Sequence, residues 1–126
     1  MDSHVWLWML TTPERLNDST RTAISTPENE VVLSVASIWE VAIKHALGKL
    51  PLNGPPSLLV DVTIQSLKVN ILPIALDHAL TAANLPPHHK DPFDRILVAQ
   101  AQLEGLTLVT ADHLIPQYGG TLMWAT

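Results

Sequence analysis

Two aspartates, Asp91 and Asp94, open the stretch DPFDRILVAQA directly ahead of an apolar run. Either of two chemistries suits them. As local structure, Asp91 is an N-cap whose carboxylate accepts from free N–H groups of the first turn. Pro92 then occupies the first helical position, and Asp94 follows three residues after the cap, as in a capping box. As reactive groups, carboxylates at a helix start can hold a divalent cation. Three further acids stand at comparable places. Asp112 follows the apolar segment LTLVT with only Ala111 between, where an Asx-turn is the plain alternative. Glu40 lies on a narrow polar stripe with Ser37 and Lys44, on a segment otherwise apolar nearly all round, so it points into a crevice or pairs with Lys44 at the i, i+4 spacing. Asp2 precedes the apolar segment HVWLWML, as a cap or as part of a frayed terminus.

Carboxylates brought together repel, which raises their pKa values and costs stability. A fold that gathers several usually does so around a hard cation such as Mg2+ or Mn2+. Such ions, with an activated water, suit phosphodiester hydrolysis. Lys44 could offset the negative charge before a cation arrives.

The elements that would position these groups alternate. Helices are expected over 4–10, from Pro13 through Ile24, over 37–47 with Gly48 just past the end, over 57–67, over 75–85 and from Asp91 to Gly105. Short apolar strands are expected over 30–37, 69–72, 106–110 and 121–125. PPHHK, residues 86–90, and ADHLIPQYGG, residues 111–120, read as loop and turn. Alternation of this kind predicts one α/β domain over residues 1–126, with a mostly parallel sheet flanked by helices. Sites in such sheets lie beyond the carboxyl ends of the strands, where several of the acids fall.

With 126 residues, 47% hydrophobic and 15% charged, the chain can bury a real core and is not disordered. A net charge of −5 argues against broad charge-driven nucleic-acid binding, but not against contact through a bound cation. No apolar run spans a bilayer, the N-terminus lacks a basic segment and cysteine is absent, so a cytoplasmic protein without disulfides or thiolate metal sites is expected.

In DSHVWLWML, EVVLSVASIWEVAIKHALGKL, DPFDRILVAQAQLEGLTLVTAD and YGGTLMWA, taken in order, the sequence resembles the PIN-domain ribonucleases, and among them the VapC-type toxins of bacterial toxin–antitoxin pairs. The resemblance implies a three-layer fold and a divalent-metal site formed by Asp2, Glu40, Asp94 and Asp112, the last being the more variable position. Asp91 recurs in this subgroup as an assisting residue. The implied activity is Mg2+- or Mn2+-dependent endoribonuclease action, in which Glu40 or Asp94 helps position the attacking water. The implied partners are RNA, a VapB-type antitoxin and a second copy in a homodimer, with no membrane. A catalytically inactive PIN-like scaffold that only binds its antitoxin is the second reading. A P-loop is absent, and DSH lacks the paired aspartates of haloacid-type phosphatases.

The family's first strand runs ahead of the first aspartate, whereas here only Met1 precedes Asp2. The first strand is therefore expected to be truncated or very short, with a start upstream of Met1 as one explanation. Its neighbours' backbone groups would then lack partners and Asp2 would be loosened. Among other residues, Arg95, Lys44 and Lys90 are phosphate-contact candidates, Arg95 having an ion pair with a nearby carboxylate as its alternative. His88 and His89 read as surface-loop residues without zinc-ligand spacing, and His4 and His113 as structural or solvent groups. Trp6, Trp8 and Trp39 read as core or interface residues.

Overall fold

The computed structural model describes all residues, 1–126. Its helices are α1 (Ser3–Thr11), α2 (Asp18–Ser25), α3 (Val35–Ala46), α4 (Pro56–Leu67), α5 (Leu76–Asn84) and α6 (Pro92–Glu104). Its strands are β1 (Val32–Ser34), β2 (Asn70–Leu72), β3 (Leu108–Thr110) and β4 (Leu122–Trp124). Both strand pairings are parallel: β1 with β2, Leu33 opposite Ile71, and β3 with β4, Val109 opposite Met123.

Helices cover both faces, as expected. Leu108 of β3 packs with Leu97 and Val98 of α6, while its neighbour Val109 packs with Val5 and Ile24 of α1 and α2. Successive side chains of a strand point to opposite faces, so this division defines three layers. A third cluster joins Trp6, Leu33, Val41 and Val69. Trp6 is fully buried and its indole N–H donates to Thr63 Oγ1 at 2.8 Å, which satisfies the one polar atom it carries inside.

Several expected boundaries move for local reasons. The expected strand over 30–37 keeps only Val32–Ser34, because the Ser34 hydroxyl accepts from Ala36 N–H and caps a helix that begins at Val35. Pro13 opens a single 3-10 turn, Pro13–Arg15, and α2 starts afresh at Asp18 under an Asn17 cap. Part of the expected turn at 111–120 is a second 3-10 segment, Ile115–Tyr118. The strands do not join into one sheet: β1–β2 and β3–β4 remain separate pairs. Between them, where a first strand is expected from the resemblance, runs a groove that Met1 enters. The expected loosening of Asp2 is not seen. Asp2 is 3% exposed, its main-chain N–H donates to the Val109 carbonyl at 2.9 Å, and its carboxylate caps α1.

Candidate metal centre

The start of α6 is capped as its sequence predicts. Asp91 Oδ1 accepts from the N–H groups of Phe93 at 2.8 Å and Asp94 at 3.4 Å. The return bond of a capping box would run from the Asp91 N–H to the Asp94 side chain. Here that N–H donates instead to Nδ1 of His89 at 3.1 Å. Asp94 is thereby released from capping, and its Oδ2 lies 3.0 Å from Nε2 of His89.

Asp112 arrives from the carboxyl end of β3. Its Oδ1 accepts from Leu114 N–H at 2.8 Å, the Asx-turn bond, while Oδ2 lies 2.8 Å from the same His89 Nε2. One ligand atom each of His89, Asp94 and Asp112 falls within 4.8 Å of the others. The imidazole has an assigned tautomer on physical grounds: Nδ1 faces a backbone donor, so in the neutral ring the proton sits on Nε2 and is directed at the two carboxylates.

His89 departs from its reading as a free loop residue. Its own N–H donates to the Tyr118 hydroxyl at 2.8 Å, and its carbonyl accepts from Arg95 Nη1 at 3.2 Å. Arg95 also donates to the carbonyls of Ala82 and Leu85, each at 2.8 Å, and of Pro86 at 3.1 Å. Arg95 thus makes neither an ion pair nor an open phosphate contact. It ties the end of α5 and the loop after it to α6, and so carries His89 into the site. His88, the adjacent residue, stacks edge-on against Tyr118. The sequence signal for His89 was its position two residues before the N-cap, within reach of the cap's N–H, but that signal does not separate it from the other histidine by type.

The remaining acids lie beside this group rather than in it. Glu40 is 3% exposed, with Oε1 accepting from the Ser3 hydroxyl at 2.6 Å and Oε2 from Lys44 Nζ at 2.7 Å. The expected i, i+4 pair therefore forms on a buried carboxylate. Asp2 Oδ1 accepts from Val5 N–H at 2.9 Å and Oδ2 from Ala111 N–H at 3.2 Å. The bonds from Ser3 and Ala111, the chain neighbours of Asp2 and Asp112, bring all four acidic positions to one region.

The electrostatics ask for positive charge. Burial, then the charges of Asp91 and Glu40, push the Asp94 pKa up to about 7, with His89 partly offsetting them. Burial alone would raise Asp112, yet the Leu114 N–H and His89 together hold it below the usual carboxylate range. Burial alone would lower His89, but the hydrogen bond to Asp112 and the charges of Asp94, Asp112 and Asp91 raise it. The hydrogen bond to Glu40 holds Lys44 above its ordinary value. Ser37, on the stripe of α3 that carries Glu40, is fully buried and its hydroxyl has no partner. Carboxylate oxygens and an imidazole, an excess of negative charge and an unpartnered hydroxyl fit a hard divalent cation better than a closed structural cluster. Asp94 and Asp112 are the residues best placed to hold it, with Glu40 next. Trp39, 57% exposed, meets Phe93 edge-on at 5.3 Å, so an aromatic pair stands at the residues preceding Glu40 and Asp94.

The sequence pattern of the PIN domain family matches residues 1–120. A curated relative, Ribonuclease VapC16 from Mycobacterium tuberculosis, is 37% identical over 65 residues. That similarity covers 52% of this chain and 45% of the relative, so less than half of the relative's length is spanned. No helix is long and apolar enough to cross a membrane.

Proposed function

The chain belongs to the PIN domain family, and from that premise we propose that it is a divalent-metal-dependent endoribonuclease, the toxin of a VapBC-type pair. The observation that carries the reading is the pairing of Asp94 and Asp112 across His89 at the carboxyl end of β3, under a charge excess that raises Asp94. The similarity to a relative named as a ribonuclease adds to it.

In this reading Asp94 and Asp112 hold Mg2+ or Mn2+, with Glu40 and Asp2 completing the acidic surroundings. When bound, the metal supplies charge stabilisation at phosphorus and a more acidic water. The protein's own groups do the rest. Asp94 or Glu40 orients the attacking water by accepting its hydrogen bond. Asp91 fixes the turn that carries Asp94. Lys44, tied to Glu40, and the exposed Lys90 face the phosphate backbone. Trp39 and Phe93 offer faces and edges to an unstacked base. Arg95 is left out of this set because its guanidinium is spent on carbonyls.

The proposed partners are RNA, a VapB-type antitoxin and a second copy of the chain, acting in the cytoplasm. Exposed Leu76 and Leu80, one turn apart on α5, favour a protein contact there. The test is cleavage of a mixed-sequence single-stranded RNA with Mn2+ or with chelator. Cleavage requiring the metal and reduced about 100-fold or more by Asp94→Asn is expected. A folded wild-type protein that binds a VapB-type antitoxin without cutting any RNA would favour the inactive scaffold.

A further inference from the structure

Most acid oxygens of the site already hold a donor from the chain. Asp2 gives both carboxylate oxygens to main-chain N–H groups, those of Val5 and Ala111. Asp112 gives Oδ1 to the Leu114 N–H at 2.8 Å. Main-chain donors of a helix start and a turn cannot withdraw without unmaking those elements. Side-chain donors can. Lys44 holds Glu40 Oε2 at 2.7 Å, and its side chain is 43% exposed. His89 Nε2 holds Asp112 Oδ2 at 2.8 Å and stands 3.0 Å from Asp94 Oδ2. Oδ2 is thus the one oxygen that Asp112 can give to a cation, and an imidazole N–H has it.

Coordination by His89 itself is blocked by the cap of α6. A ring nitrogen binds a metal through its lone pair, so Nε2 would have to pass its proton to Nδ1. Nδ1 accepts from the Asp91 N–H at 3.1 Å, and a proton there would set two donors against each other. Neither backbone is free to step aside. The Asp91 carboxylate caps Phe93 and Asp94. The His89 main chain is held by the Tyr118 hydroxyl at 2.8 Å and by Arg95 Nη1 at 3.2 Å. What remains free to move is the ring. His88 and Lys90 on either side are exposed, so the loop surface is open to a ring that rotates about its Cα–Cβ bond.

We propose that His89 is a latch on the metal centre: in the metal-free protein its imidazole takes the cation's place between Asp94 and Asp112, and it turns out of the site when the cation is bound. The inference rests on the metal site of the nuclease reading, not on its RNA chemistry. A donor shared by two carboxylates eases their repulsion, which lets the acid cluster fold before a cation arrives. The same contact competes with the cation, so the latch weakens metal binding. With the ring outside, the donors left are oxygens, the set that suits Mg2+ or Mn2+ rather than Zn2+.

The test uses the full chain and Mn2+ alone. Calorimetry gives the Mn2+ affinity of wild type and of His89→Ala. Removing a charge-assisted competitor should tighten binding by about tenfold or more. In the wild type, carbethoxylation of His89 by diethyl pyrocarbonate is located by peptide mass spectrometry, with the exposed His88 as internal reference. It should be slow without metal, where the His89 side chain is 11% exposed, and several-fold faster with saturating Mn2+. A His89→Ala protein that binds Mn2+ equally or more weakly, as loss of a ligand would give, overturns the latch and leaves the metal site standing. So does a His89 no more reactive with Mn2+ than without it. Should His89→Ala not fold, the wild-type labelling decides alone. If both proteins fold and neither binds millimolar Mn2+, the latch falls together with the metal site.

Discussion

At the residue scale, one imidazole decides how two carboxylates are used. His89 takes the Asp91 N–H that a capping box would have given to Asp94, and Asp94 is left facing Asp112. The neutral ring should carry its proton on Nε2, and 15N spectra of metal-free protein at a pH above the raised His89 pKa check this; a neutral ring protonated on Nδ1 would contradict it. Asp94 carries a folded-state pKa of about 7 against an ordinary 3.8. A carboxyl raised in this way favours the fold at low pH, and that stability is lost as pH rises through about 7. Asp94→Asn should therefore melt close to the wild type near about pH 3.5, below the ordinary carboxyl value, and above it at about pH 8, without metal. A difference that is the same at both pH values would show that charge repulsion is not what the substitution relieves. Glu40, Asp94 and Asp112 were legible in the sequence as acids at strand ends and helix starts. His89 was not, because its role comes from Tyr118, far along the chain, and Arg95, one helical turn into α6, holding its backbone, and neither contact follows from sequence spacing. The expected ion pair of Arg95 failed for a related reason: carbonyls freed at the end of α5 came closer than any carboxylate.

At the element scale, long periodic segments and caps read directly. Asp91, Asn17, Gly48 and Gly105 act at helix ends as their types suggest, Gly105 with a φ of +66°. The C-cap of α4 breaks the pattern, since Lys68 occupies the left-handed region at φ +54°. Glycine relieves that conformation, so Lys68→Gly should raise stability in urea denaturation by about 0.5–1 kcal/mol. A loss would mean that the lysine side chain contributes more than the backbone strain costs. The strands read less well because each is only three residues long. At that length one capping serine, Ser34, suffices to turn the last three residues of an expected strand, 35–37, into helix.

At the scale of the whole molecule, alternation of helix and strand predicts a parallel α/β arrangement, and the family match over residues 1–120 agrees with that fold class. The separation of the strands into two pairs, β1–β2 and β3–β4, departs from the single sheet that this alternation predicts. Under the proposed function, a net charge of −5 and a cluster of carboxylates would repel RNA unless a cation intervenes. The proposed function thus turns on the Asp94 and Asp112 cluster holding that cation. Its most direct test is thermal melting of wild type and Asp94→Asn, each with and without millimolar Mn2+. A ligand that binds only the folded state raises its stability, by about 2.7 kcal/mol at a hundredfold excess over Kd. A clear Mn2+ shift is expected in the wild type and a much smaller one in Asp94→Asn. Equal shifts in the two proteins, or none in either, would contradict it.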